Sequence, residues 1–521
     1  MTATADTEQQ HPWWRRAVVY QVYPRSFADS DGDGVGDLGG IRQHLAHIRD
    51  LGVDALWLSP VYRSPMADAG YDISDHTAID PAFGSLEDFD GLLAEAHQLG
   101  LKVLMDFVPN HTSDQHAWFR ESRSARDSPK RDWYIWRDEP NNWRAALGAG
   151  SAWTWDEQTE QYYLHLFLAA QPDLNWRNPQ VVAAMHDVLR FWLDRGVDGF
   201  RIDVAHCVGK DPDFADDPRC AAGQPLSDFN DQPYSHEVLR GIRRLVDSYP
   251  GDRVLVGEVN IRSTQQVAQY YGTNDELHMS FNFPPLDAPW DPVVFRMCVR
   301  EVESELGPVA AWPTWVLSNH DNERHRTRYD GSMRRARAAA VMLLTLRGTP
   351  FLYQGEELGL ENALITPDTQ VDPGGRDGTR APLPWSAEPP HGWSGKQPWL
   401  PFPPDADSLS AERSAEDPGS ILHLYRRLLG ERRRSTALGV GDWTELPSPP
   451  EVLAFLRRAG DDQRIVAINF AGSPRQFDVD DDWRVLVASD GDGAGEQFSG
   501  RLLAEQAVLL EPSTASTKSA T

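Results

Sequence analysis

The chain has 521 residues, 40% hydrophobic and 25% charged, a globular composition too long for one ordinary core. With 50 basic and 78 acidic residues its formal charge is −28, which argues against nucleic acid and anionic lipid as partners and suits a neutral or cationic ligand. Three cysteines make no disulfide framework. Cys207 and Cys220 are candidates for one pair, but the odd count fits a reducing compartment better. The opening residues, MTATADTEQQHPWW, lack the basic and apolar regions of a secretory signal, and no apolar run is long enough to cross a bilayer. The expectation is a cytoplasmic protein with no membrane partner.

In chain order, short β-branched and aromatic runs alternate with amphipathic helical patterns. Strands are predicted at 17–27, 53–60, 102–108, 197–205, 253–259, 276–283, 314–321 and 349–354. The helical pattern is clearest at 38–51, where Leu38, Ile41, Leu45 and Ile48 share one face, and at 86–99 and 178–195. Eight β/α units suggest a closed (β/α)₈ barrel, with a doubly wound sheet as the alternative. Residues 109–177 are too long for a plain loop and predict an inserted B subdomain after the third strand. Residues 360–408 form a second excursion rich in Pro, Gly and Trp. The expected organisation is a barrel over 1–108 and 178–435, with its last helix near 409–432, a C-terminal antiparallel β domain at 436–511 and a disordered tail at 512–521.

The predicted strand ends carry an unusual cargo. Strand three ends in Asp106, followed by Asn110 and His111. Strand four ends in Arg201 and Asp203, strand five in Glu258, and strand seven in His320 and Asp321. Barrel strands converge at their C-terminal ends, and several carboxylates gathered there are costly without a function. Two carboxylates roughly 5–5.5 Å apart can hydrolyse a glycoside with retention, one attacking the anomeric carbon and the other protonating the leaving oxygen. Arg201 lies two residues before Asp203, on the same strand face, and helps keep it ionised. Glu258, with no cation beside it in sequence, fits the general acid. His111 and His320 also raise metal ligation, but no further His or Cys lies at ligand-like spacing, and neutral imidazoles contacting sugar hydroxyls fit better. His76, His165 and His186 read as ordinary surface or core histidines.

The segments DFVPNHTS, GFRIDVAH, GEVN and SNHD, in this order and at these strand ends, resemble the four conserved regions of the α-amylase superfamily, glycoside hydrolase family 13. QPDLNW (171–176) resembles the fifth region of its oligo-1,6-glucosidase and α-glucosidase branch. The resemblance runs from about residue 15 to 385. It implies Asp203 as nucleophile, Glu258 as acid/base and Asp321 as the third carboxylate, with His111, His320 and Arg201 around the nonreducing glucose. Asp72, with Tyr71 beside it, resembles the grip of exo-acting enzymes on the terminal 4-hydroxyl. Arg380 resembles the arginine that helps close that pocket. An Asp–Arg closure makes the site a pocket and predicts exo-action on short α-gluco-oligosaccharides such as maltose.

The loop DSDGDGVGDLGG (29–40) places Asp29, Asp31, Asp33 and Asp37 at cation-loop spacing, with the Val35 carbonyl as a fifth ligand. Gly40 stands where an EF-hand needs a bidentate Glu, so an EF-hand is excluded. An ion-free Asp/Gly turn is the plainer alternative, but four close carboxylates favour a cation. The resemblance implies structural Ca²⁺, with Mg²⁺ as the alternative.

Transfer of glucose to a sugar or alcohol, as in sucrose isomerases and trehalose synthases, is the competing function. A non-catalytic barrel homologue is disfavoured because all three carboxylates are present. For linkage, Val204 after the nucleophile goes with α-1,6 substrates, whereas the following AHCVGKD resembles an α-1,4 group. The reading favours α-1,4. Sequence gives no oligomeric state.

Overall fold

The computed structural model describes residues 11–513 except Ala149 and Asp481. Its centre is a barrel of strands β1 Val19–Val22, β2 Ala55–Leu58, β3 Lys102–Phe107, β4 Gly199–Ile202, β5 Val254–Gly257, β6 Met279–Ser280, β7 Thr314–Val316 and β8 Thr349–Tyr353. The ladder runs β6-β5-β4-β3-β2-β1-β8-β7, every pair parallel. Side chains close the seam between β6 and β7. Thr314 Oγ1 donates to the Ser280 carbonyl at 2.8 Å, and Asn282 Nδ2 donates to the Thr314 carbonyl at 2.8 Å.

Two cores follow from the period-two geometry of the strands. Val19, Ala55, Trp57, Leu104, Val254, Val256, Met279 and Phe351 fill the barrel interior, with Trp14 and Trp312 in the same cluster. Their strand neighbours Tyr20, Leu56, Val103, Phe200 and Leu255 face outward, where the helices bury them. This two-sided burial explains why the strands read as continuous apolar runs. Gly199 is required where β4 meets β5: a Cβ there would lie 2.2 Å from the Val254 carbonyl oxygen. The helix Pro179–Asp194 returns the chain to β4. Asn178 caps it, Pro179 starts it, and Val181, Met185, Leu189 and Trp192 bury its inner face.

β6 is shorter than the predicted 276–283. Phe281 and Phe283 pack into the interior cluster, and Pro284 and Pro285 have no N–H to continue a ladder. β1 likewise stops at Val22 and passes into a 3₁₀ turn at Pro24–Ser26. The stretch 109–177 holds a helix, Ala117–Ser124, and a three-stranded antiparallel sheet of Trp136–Arg137, Trp153–Asp156 and Gln161–Leu164. Ile135, Trp143 and Leu166 of this stretch pack with Val204, Cys207 and Leu226 of the loop after β4, which builds one wall of the barrel mouth. The excursion 360–408 folds back over the opposite rim, where Leu383 N–H donates to the Ser26 carbonyl and Trp385 Nε1 to the Phe27 carbonyl.

The last barrel helix is split into Ala411–Glu416 and Ile421–Arg434. A five-stranded antiparallel sheet follows, in the order 442–445, 452–459, 462–469, 507–512, 483–488. Its final strand includes Pro512, and Ser513 N–H bonds the Asp482 carbonyl, so those two residues are ordered; the rest of the expected tail lies outside the described residues. The opening segment read for a signal also lies largely outside them. Cys207, Cys220 and Cys298 are buried free thiols. Among the described residues no helix is long and apolar enough to cross a membrane.

Candidate active site

The alternation that turns Phe200 and Ile202 outward turns Arg201 and Asp203 into the barrel mouth. The same rule aims Asp106 inward from β3 and Glu258 inward just past β5. Arg201, 2% exposed, organises them. Its Nη1 donates to Asp106 Oδ1 and to Asp203 Oδ1, both at 2.7 Å, and its Nη2 donates to Glu258 Oε2 at 2.5 Å. Two nitrogens of one guanidinium thus hold both expected catalytic carboxylates, a fork geometry that suits arginine and not lysine.

Burial pushes the Asp203 carboxyl well above its ordinary range; Arg201 opposes the rise, and Glu258 and Asp106 add to it. Sequence reasoning expected Arg201 to keep Asp203 ionised; in the structure burial outweighs the guanidinium and raises the proton affinity at Asp203. Asp106 is pushed up to about 6, by burial first. Asp321 behaves oppositely. Burial raises it, but His320, Arg376, Arg380 and Arg201 together outweigh burial and hold it well below the carboxylate range.

His320 is packed face to face on Tyr71, ring centroids 5.3 Å apart. Its Nε2 is 2.7 Å from Tyr71 Oη, its Nδ1 is 2.8 Å from Gln21 Nε2, and Tyr71 Oη donates to Asp106 Oδ2 at 3.0 Å. Burial lowers His320 to about 3 and His111 to about 4, so both are neutral at pH 7. With Gln21 donating to Nδ1, the His320 proton sits on Nε2, facing Tyr71 and Asp321.

The mouth encloses a cavity of about 280 Å³ lined by Asp68, Tyr71, His111, Asp203, Glu258, Asp321 and Arg376, and by the apolar Phe167, Val204 and Phe283. Asp72 and Arg380 do not line it. The Asp72 carboxylate turns back into its own loop, accepting from Ser64 Oγ, Ala67 N–H and Asp68 N–H at 2.9 Å each. Arg380 is fully buried behind Asp321, donating to the His320 carbonyl at 2.8 Å and to Asp321 Oδ1 at 2.9 Å. The Asp and Arg that do line it are Asp68 and Arg376, with Arg376 Nη2 2.5 Å from Asp68 Oδ1 and Arg376 Nη1 3.0 Å from Asp321 Oδ1. Sequence reasoning missed both. The signals were present, since each lies four residues before the residue chosen, but spacing alone does not tell an inward loop side chain from an outward one.

Gln171 and Lys210 were also missed. Gln171 Nε2 donates to Asp68 Oδ2 at 2.9 Å and lies 3.0 Å from His111 Nε2. The buried Lys210 ammonium bonds Asn110 Oδ1 at 2.8 Å and pairs with Asp173 Oδ2 at 2.9 Å, joining β3, the inserted subdomain and the loop after β4.

In the acidic loop, Asp29, Asp31 and Asp37 each offer a carboxylate oxygen within 4.8 Å of the others. That oxygen-only set fits a hard divalent cation. Asp33 stands outside the group: it is turned to the Val35 N–H, which donates to Asp33 Oδ1 at 2.8 Å. The five-ligand set expected from spacing includes these three grouped carboxylates. Asp29 and Asp37 also brace the loop, accepting backbone N–H bonds from Gly32 and Gly34 and from Ser30 and Gly40.

Residues 21–441 match the family model for the alpha-amylase catalytic domain. A probable alpha-glucosidase of Rhizobium meliloti is 42% identical over 90% of this chain and 91% of its own length. The oligo-1,6-glucosidase of Parageobacillus thermoglucosidasius is 37% identical over 90% and 92%. The trehalose-6-phosphate hydrolase of Bacillus subtilis is 35% identical over 95% and 97%. The crystal structure of the alpha-glucosyl transfer enzyme XgtA is similar with a TM-score of 0.90, at 40% identity, covering 97% of this chain and 100% of that one.

Proposed function

Because the chain belongs to the α-amylase family of glycoside hydrolases, we propose that it is an exo-acting retaining α-glucosidase for short α-glucosides, with α-1,4 linkages favoured. The observation that carries the reading is the Arg201 guanidinium gripping Asp203 and Glu258 together. Carboxyls that share one guanidinium fit the short spacing of retaining glycosidases. Asp203 attacks the anomeric carbon while Glu258 gives its proton to the leaving oxygen. Water, deprotonated by Glu258, then releases α-glucose from the Asp203 ester.

The Asp68–Arg376 pair supports exo-action. A terminal glucose whose hydroxyl is held by this carboxylate and guanidinium has no path for a further sugar beyond it. The relatives split over aglycone chemistry, and cavity charge bears on that choice. Six carboxyl side chains, Asp68, Asp203, Asp228, Glu258, Asp287 and Asp321, face the cavity against two guanidiniums, Arg262 and Arg376. Arg262 is paired with Asp287 at 2.8 Å. Such a lining repels a phosphate dianion, so the substrate reading is a neutral glucoside and not a sugar phosphate. Glucosyl transfer to another hydroxyl uses the same intermediate, and the apolar lining of Phe167, Val204 and Phe283 favours acceptors other than water. The test is product analysis by NMR on maltose, isomaltose, sucrose and trehalose. Release of α-glucose first, fastest from maltose, is expected; β-glucose as the first product would overturn retention.

A further inference from the structure

Val204, directly after the nucleophile, has φ +36° and ψ +48°. This is the left-handed region, where a β-branched residue is a steric outlier held only by its surroundings. The surroundings here are specific. Asp203 N–H still follows the ladder, bonding the Phe107 carbonyl at 2.9 Å; one residue beyond the turn, Ala205 N–H bonds the Glu258 carbonyl at 2.9 Å. The Val204 carbonyl accepts from Cys207 N–H at 2.8 Å. Between these anchors the left-handed turn aims the Val204 N–H at Glu258 Oε2, 3.1 Å away. The same oxygen accepts from Arg201 Nη2 at 2.5 Å.

An oxygen engaged by two donors is a poor place for a proton, because an added O–H would point at N–H groups. We propose that the strained turn at Val204 is a positioning device for the acid/base: with Arg201 it keeps Glu258 Oε2 an acceptor, and thereby assigns the transferable proton to Oε1, the oxygen left to face the glycosidic oxygen. In the glycosylation step the Oε1–H bond breaks, the proton passes to the leaving oxygen, and the C1–O bond electrons stay with that oxygen while Asp203 bonds to C1. The inference rests on the assignment of Glu258 as general acid. It also separates two roles of Val204: the side chain faces the cavity, whereas the peptide N–H acts on Glu258.

Replacing Val204 by α-hydroxyisovalerate turns that peptide into an ester and deletes only the N–H. Turnover is compared on maltose, whose leaving group needs the proton, and on α-glucosyl fluoride, whose leaving group needs little help. The ester variant is expected to lose about tenfold or more on maltose, the scale of one hydrogen bond to a charged group, and much less on the fluoride. Equal losses on both substrates, or no loss, would overturn the proposal. Should the ester variant not fold, Val204→Gly and Val204→Ala serve. Both trim the side chain, but only glycine frees φ, so Gly should lower the maltose-to-fluoride ratio more than Ala; equal ratios in the two variants refute the positioning role. Glu258→Gln separates the layers. If it leaves the ratio intact, the acid assignment has failed; if it collapses the ratio while the Val204 variants do not, only this inference has failed.

Discussion

Arg376 reaches Asp68, 308 residues away in sequence, at 2.5 Å, and with its other nitrogen holds Asp321 at 3.0 Å. One guanidinium thereby ties two of the carboxylates that line the cavity. Asp68→Ala or Arg376→Ala should cut kcat/KM on maltose by about a hundredfold or more, the scale of losing a charged hydrogen-bonding partner for a substrate hydroxyl. Melting temperature should move little, since both side chains face the cavity. Wild-type kinetics in both variants would remove the closing role.

Asp72→Ala should behave in the opposite way. Its carboxylate accepts two backbone N–H bonds and one hydroxyl bond inside its loop, so its loss leaves buried donors unpaired. A destabilisation of about 1–3 kcal/mol is expected, and activity should fall because Asp68 sits on the loop that Asp72 shapes. Thermal melts compared with kinetics below the transition separate the two effects.

The acidic loop predicts a cation effect confined to particular residues. Ca²⁺ at a hundredfold its Kd should stabilise the fold by about 2.7 kcal/mol, and chelation should reverse this. Asp31→Ala should abolish the response, because its carboxylate belongs to the close group. A melting curve indifferent to verified Ca²⁺ addition and removal would identify an ion-free turn.

Stability should also fall on the alkaline side through His236. Burial pulls this imidazole down, but Asp231 and Glu276 outweigh burial and raise it to about 9. Its Nδ1 lies 2.7 Å from Glu276, which Arg240 also pairs, and its Nε2 lies 3.6 Å from Asp231. A raised folded-state value means that the contribution is complete below about pH 6.5, the unfolded value, and is lost as pH rises through about 9. The loss is at most about 3 kcal/mol. Denaturant titrations at pH 6 and pH 9.5 should differ in the wild type and converge in His236→Gln.

Cavity charge predicts discrimination between neutral and phosphorylated substrates. Turnover of trehalose 6-phosphate should be far below that of the best neutral disaccharide, and added salt should narrow the gap by screening. Preference for the phosphate ester would contradict the charge argument.

The barrel was legible because strand periodicity is rigid: once Phe200 and Ile202 face the outer core, Arg201 and Asp203 must face the mouth. Asp203 and Glu258 follow that rule just past their strands, whereas Asp321 lies beyond β7 on irregular chain and was indicated by the motif SNHD. The lining pair Asp68 and Arg376 was not legible, because Asp68 and Asp72, like Arg376 and Arg380, lie on irregular loops. There no periodicity fixes direction, and local hydrogen bonds decide which side chain is consumed by the backbone. Lys210 was invisible for another reason: its partners Asn110 and Asp173 come from segments that meet only in the folded chain.

The central claim is a covalent intermediate on Asp203. Incubation with 5-fluoro-α-glucosyl fluoride, followed by mass spectrometry of the digested protein, tests it directly. The account predicts one added fluoroglucosyl group on the peptide carrying Asp203, and no added group in Asp203→Asn. A label on Glu258 or Asp321, or continued turnover of Asp203→Asn near the wild-type rate, would contradict it.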